Sequence, residues 1–134
     1  MAPNHLASTV ISMRPFVPAL QYQKSQDFYR ALGFEVWPLS EQISLVKLDR
    51  KSNAFSFLLQ DFYTEEFAHN AMIQLFVENL DGWWRHIVAL ELPTKFDVNA
   101  PQPPKSMTRD LRVIFLWDPA GVLWHIVGHQ EGRA

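Results

Sequence analysis

The chain contains no cysteine, which removes disulfide staples, thiolate nucleophiles and cysteine-bound zinc in one step. It also lacks any block of like charge: 12 Lys and Arg stand against 14 Asp and Glu, for a net charge of −2. Such a balance gives neither the electrostatic footprint of nucleic-acid binding nor a membrane-binding face. No apolar run is long enough to span a bilayer, and residues 1–12 lack the basic start and apolar stretch of a signal peptide. The expectation is a soluble, cytoplasmic protein that takes small-molecule or protein partners, with no nucleic acid and no membrane among them. With 134 residues the chain can bury roughly two-thirds of its unfolded surface.

What is present is organised around Arg112 to Val127. Two runs rich in β-branched and aromatic residues flank Asp118-Pro119-Ala120-Gly121. There Pro presets φ near −65° for the second position of a turn, and Gly accepts positive φ at its end. The two arms form a hairpin. Both carry large apolar side chains on both faces, so the hairpin belongs inside a sheet covered on both sides. Alternation places Val113, Phe115 and Trp117 on one face, Ile114 and Leu116 on the other. On the return arm Trp124 and Ile126 oppose His125, Val127 and His129.

In chain order, residues 1–12 read as mixed and frayed up to Val10 or Ile11. Met13 to Leu20 reads as a strand pushed to an edge or bulge by its two prolines. Ser25 to Gly33 predicts a short helix, with a capping-type Ser, apolar Phe28, Ala31 and Leu32, and a terminating Gly. Three strands follow, Phe34 to Leu39, Gln42 to Asp49 and Ala54 to Phe62, turning at Ser40-Glu41 and Arg50 to Asn53. A mixed linker, Tyr63 to Asn70, precedes a strand from Ala71 to Val77. A second helix starts after Asn79, a good N-cap, with Leu80, Trp83, Trp84, Ile87 and Leu90 at helical spacing. Glu91 to Phe96 suggests a strand, and the proline-rich stretch Asp97 to Asp110 an unusually long loop, of the kind that forms lids.

Strand, helix and three strands therefore occur twice, a coarse internal repeat. At this point two segments resemble a known family. Ser25 to Phe34 resembles the S-x-x-F-Y-x-x-L-G-F signature of the vicinal oxygen chelate superfamily, which includes glyoxalase I, extradiol dioxygenases, and fosfomycin and bleomycin resistance proteins. Arg112 to Ile126 resembles its closing R-x-F-x-x-x-D-P-x-G hairpin, and the match runs in order from about Met13 to Val127. Gln21 stands where a helix-capping Asp is usual, and Val122 where Asn often follows the turn. The resemblance implies an α+β fold of two βαβββ modules forming a U-shaped mixed-sheet cleft. It makes one domain over residues 1–134, with a first module at about 10–62 and a second at about 70–130, commonly in a homodimer.

Members that are enzymes hold a divalent metal with His, Gln or Glu from four strands. Carried onto this chain, those positions fall on Arg14, on Ser56 or Phe57, on Met72 with Gln74 two residues on, and on His125. Arginine is cationic and never a ligand, so one imidazole is left with too few donors. His125 and His129 share a face but lie too far apart to clamp one ion, and His5, His69 and His86 have no partner spacing. No metal and no cofactor are therefore expected, and no catalytic residue is assigned. A lone strand His more often satisfies a hydrogen bond than a metal.

The remaining chemistry is an aromatic cleft with a few fixed polar groups. The candidate ligand-binding residues are Arg14, Trp37, Phe57, Met72, Gln74, Arg112, Trp117 and His125, with Phe55 and Phe115 on the same strands. Strand arginines need an anionic partner, for which Asp27, Glu35 or Asp110 would serve if no ligand does. Asn70 to Trp84 and the final hairpin most resemble metal-free bleomycin resistance proteins, dimers that sequester a drug; their acidity suits a cationic ligand, whereas this chain is only mildly acidic. The function expected is binding of an antibiotic or aromatic metabolite without chemistry. The alternatives are a metal-dependent lyase, isomerase or dioxygenase using His125, Gln74 and Gln60, and an interaction module with a filled cleft.

Overall fold

The computed structural model describes residues 3–49 and 54–130; the turn expected at Arg50 to Asn53 lies outside them. After a 3-10 helix at Pro3–Thr9, the first half runs β1 (Phe16–Pro18), α1 (Tyr22–Leu32), β2 (Glu35–Pro38), β3 (Ile43–Lys47) and β4 (Ser56–Gln60). The second runs α2 (Glu65–Asn70), β5 (Met72–Phe76), α3 (Leu80–Leu90), α4 (Leu92–Phe96), β6 (Gln102–Ser106), β7 (Leu111–Trp117) and β8 (Leu123–His129). Each half builds one four-stranded mixed sheet, in the orders β1-β4-β3-β2 (sheet A) and β5-β8-β7-β6 (sheet B). The first strand of each half runs parallel to its last, β1 to β4 and β5 to β8, while the other pairs are antiparallel.

The hairpin β7–β8 occupies the interior of sheet B as expected, though helices cover one face of that sheet and not both, and Gly121 takes φ 93° at the end of the turn. Helix α1 stops at Gly33, φ 106°, whose N–H bonds to the Arg30 carbonyl. It starts at Tyr22, three residues before the expected cap. Ser25 is thus an interior helical residue, fully buried, and Gln26 is buried beside it because its amide oxygen accepts from Ser44 Oγ of β3. Asn79 does cap α3, accepting from the Gly82 N–H at 2.9 Å.

Three expectations are corrected. The linker after Tyr63 contains α2, begun by Thr64 and the acidic pair Glu65-Glu66 that suits a first turn. Leu92–Phe96 is a helix, with Pro93 in the first turn where a missing N–H costs nothing. The proline-rich stretch is no free loop: Gln102–Ser106 forms β6 at the edge of sheet B, where Pro103 and Pro104 are tolerated because only one side must pair, and the register slips between Gln102 and Lys105.

The helix-bearing faces of the two sheets meet. Phe28, Tyr29 and Leu32 of α1, Val46, Phe57 and Leu59 of sheet A, and Ile114, Leu116, Trp124 and Ile126 of sheet B belong to one buried cluster. Rings touch across the halves, Phe57 to Trp124 at 5.6 Å and Tyr29 to Trp124 at 5.8 Å. The opposite face of each sheet, its open face, carries the exposed Phe16 and Trp37 in sheet A and the exposed Met72 and Phe76 in sheet B, although Val113 and Val127 on the latter are buried.

Candidate functional site

Where the two halves abut, a groove of about 580 Å³ opens between the β3–β4 end of sheet A and the edge strand β5 of sheet B. Its floor is core: Phe34, Phe57 and Trp124, with Trp124 only 1 % exposed. Its walls are Leu48, Phe55, Ile73, Leu75, Phe76 and Trp83, so the lining is mostly apolar, with Ser56, Gln74 and Asp49 as its polar members. Phe34 stacks at an angle on both tryptophans, 6.1 Å from Trp124 and 6.2 Å from Trp83. An apolar pocket with few polar groups is the usual construction of a small-molecule site.

The floor is held by a buried network. Trp124 Nε1 donates to the Tyr29 hydroxyl at 3.1 Å, and that hydroxyl donates to Asp118 Oδ2 at 2.6 Å. The other Asp118 oxygen accepts the N–H groups of Ala120 and Val122, each at 2.9 Å. One carboxylate thus shapes the hairpin turn and ties α1 of the first half to β8 of the second. Burial pushes Asp118 up to about 6, partly offset by the hydrogen bond from Tyr29 and those from the turn. Burial, and then the neighbouring Asp118 charge, pushes Tyr29 well above its ordinary value.

The eight candidate residues fall into separate groups. Phe57 and Gln74 line the groove. Arg14 and Trp37 belong to the open face of sheet A, where Trp37 pairs with Leu45, which pairs with Leu58, which pairs with Phe16. Next to that apolar row Arg14 Nε donates to Ser56 Oγ at 3.1 Å, and Ser56 pairs with Lys47, which pairs with Glu35. Met72, Trp117 and His125 lie on the open face of sheet B: Met72 pairs with Leu123, which pairs with Trp117, and Gln74 pairs with His125, which pairs with Phe115. The His125 ring lies against Phe115 at 4.9 Å.

Arg112 is on the core face of β7. It meets Asp81 of α3 in a two-pronged contact at 3.1 Å for each prong, a carboxylate not among the three named from the sequence. Asp27 instead binds Arg30 and Gln23, and Glu35 binds Lys47. His86 meets the Leu32 carbonyl at 2.9 Å and His69 the Tyr63 hydroxyl at 3.4 Å, so both have local partners.

No family model matches the sequence, and no curated protein matches it in sequence. Solved structures do match. A bleomycin-binding protein complexed with bleomycin is similar at TM-score 0.73 and 14% identity, over 90% of this chain and 100% of that one. The bleomycin-binding protein of Streptomyces verticillus, complexed with copper(II)-bleomycin, is similar at TM-score 0.70 and 16% identity, over 88% and 95%. A lactoylglutathione lyase from Agrobacterium tumefaciens is similar at TM-score 0.63 and 16% identity, over 87% and 92%. This chain has the glyoxalase/bleomycin-resistance fold, that of the vicinal oxygen chelate superfamily. The paired βαβββ halves expected from the two sequence signatures are its halves.

The glyoxalase/bleomycin-resistance fold serves metal enzymes as well as binders, so the metal positions matter. The residues here do not fit a divalent ion. Arg14 brings a positive charge to the first position and engages Ser56, which stands at the second. Gln74 and His125 are cross-strand partners, but they are two donors on sheet B, whereas Gln60 lies on the open face of sheet A. Among the described residues no three His, Cys, Asp or Glu side chains gather as a metal site would require. Among the same residues, no helix is long and apolar enough to cross a membrane.

Proposed function

We propose that the protein is a metal-free binding protein of the bleomycin-resistance type. It holds an apolar or aromatic small molecule, an antibiotic or a metabolite, in the groove between its halves and does not transform it. The observation that carries this reading is the groove itself, with an aromatic floor fixed by the Tyr29, Asp118 and Trp124 network and a few polar groups for orientation. The likeness to two bleomycin-binding proteins agrees with it. A metal-dependent lyase, isomerase or dioxygenase is the weaker reading, because a guanidinium beside the ion would repel it.

The working form proposed is a cytoplasmic homodimer. Phe16 and Trp37 on the open face of sheet A are 49% and 55% exposed, and Met72 and Phe76 on that of sheet B 67% and 53%. Apolar surface of this extent is what a second copy would cover, one subunit's sheet A against the other's sheet B. Sedimentation should report twice the chain mass at micromolar concentration.

Calorimetric titration with a panel of antibiotics, bleomycin included, and aromatic metabolites tests the binding reading. Saturable heat is expected for at least one member. Leu75→Trp, which pushes an indole into the groove from β5, should weaken that binding more than tenfold. Binding undiminished in Leu75→Trp would move the site elsewhere. Turnover that depends on added Ni, Zn or Mn would replace the binding reading by the enzymatic one.

A further inference from the structure

The mouth of the groove carries information that its apolar interior does not. Pro15 and Ser56 line it; Arg14, next to Pro15 in the chain, lies outside the lining itself but is half-buried beside it, its Nε bonded to Ser56 Oγ at 3.1 Å. Among the described residues that is its one hydrogen bond: its two terminal nitrogens have no protein acceptor and no carboxylate pairs with it. The contrast with Arg112, gripped by both oxygens of Asp81, is direct. Lys47, across Ser56, adds a second positive charge to the same row, with Glu35 on its far side at 4.0 Å. Asp49, the one acid of the groove lining, already has a partner within the chain.

The strands of a second copy's sheet B would not supply the missing anion. The strands of sheet B, Met72–Phe76, Gln102–Ser106, Leu111–Trp117 and Leu123–His129, contain no Asp or Glu. Covering the open face of sheet A with them would bury the Arg14 fork against neutral groups such as Gln74 and His125. A guanidinium shut away without a counter-charge costs several kilocalories per mole in general, and an anion seated on the fork would offset that cost.

Resting on the groove reading above, we propose that the ligand bears an anionic group, a carboxylate, sulfonate or phosphate, seated on the Arg14 fork beside Ser56, with its aromatic or apolar body in the groove. Guanidinium forks match planar oxyanions in two-pronged fashion, and such charge-assisted bonds gain strength where water is excluded. Lys47 adds long-range attraction.

Two fluorescent probes with one ring system separate charge from shape: 1-anilinonaphthalene-8-sulfonate, and N-phenyl-1-naphthylamine, which lacks the sulfonate. Both should bind the wild type, with the sulfonate weakened when salt is raised from 0.05 to 0.5 M and the neutral amine unaffected. Arg14→Met should cost the sulfonate about tenfold in affinity and the amine less than about twofold, Arg14→Lys falling between. Unchanged binding of the amine certifies that the variant is folded, and the salt comparison needs no variant at all. Sulfonate binding indifferent to both salt and Arg14→Met overturns the anion assignment while leaving the groove reading intact. Failure of both probes to bind the wild type, or their retention in Leu75→Trp, overturns the groove reading and this inference with it.

Discussion

On the open face of sheet A a row runs Arg14, Ser56, Lys47, Glu35; on that of sheet B a row runs Gln74, His125, Phe115, Gln102. The two sheets share a strand order, yet one carries charge across its open face and the other is neutral apart from Lys105, which lies over the Phe115 ring. Their arginines are placed in opposite ways. Arg112, half-buried on the helix-bearing face of sheet B, is closed by a carboxylate, while Arg14 of sheet A stands beside Ser56 of the groove lining with no carboxylate partner among the described residues. The same fold unit, used twice, closes one guanidinium with a carboxylate of its own and gives the other a single hydroxyl partner.

The comparison holds only if the halves are one cooperative body, and Asp118 is where that is tested most severely. Asp118→Ala would leave the Tyr29 hydroxyl and the N–H groups of Ala120 and Val122 buried without acceptors. Each orphan costs about 1–3 kcal/mol, so the expected loss is about 3–5 kcal/mol. Urea unfolding followed by Trp fluorescence and by circular dichroism should show both signals moving together to lower urea. Separate transitions would mean that the halves fold independently.

The same carboxylate gives a smaller effect through pH. Its folded pKa of about 6 lies above the ordinary aspartate value, so the folded chain holds that proton more tightly than the unfolded chain does. Stability is therefore greatest below about pH 4 as far as this group is concerned, and declines as pH rises to about 6, by roughly 2–3 kcal/mol. Urea midpoints measured at intervals from pH 4 to 7 check the slope. Asp118→Asn, which cannot titrate, should flatten it; an equal slope in that variant would assign it to other groups.

How far the sequence disclosed this depends on how local each signal is. The hairpin was legible because Pro119 and Gly121 restrict the turn by themselves, and α1 because Gly33 ends it. The role of Asp118 was not, although an Asp opening a Pro-x-Gly turn is a known acceptor for the N–H groups that follow. Its second partner, Tyr29, lies 89 residues away. Helices α2 and α4 are too short for periodicity to show, but Thr64-Glu65-Glu66 and Leu92-Pro93 were readable as helix starts. Strand β6 was hidden by its prolines, which exclude central strands but not edges. The groove was out of reach, since Phe34, Phe57, Trp83 and Trp124 meet only when the halves do. Arg14 and Arg112 both stand out as strand arginines, and nothing in their strands says which has a carboxylate waiting on a helix.

That distinction gives the smallest and sharpest effect. Arg112→Met removes a half-buried, two-pronged ion pair and should cost about 1–2 kcal/mol in urea unfolding. Adding Asp81→Ala to it should cost little more, because the partner is already lost, so the double-mutant cycle returns a coupling of about 1 kcal/mol. Arg14→Met removes a single bond to Ser56 and no carboxylate contact, and should leave stability within about 0.5 kcal/mol. A comparable loss from the two substitutions would show that Arg14 is held by the protein as firmly as Arg112 is. The fork at the groove would then have no capacity left for a ligand.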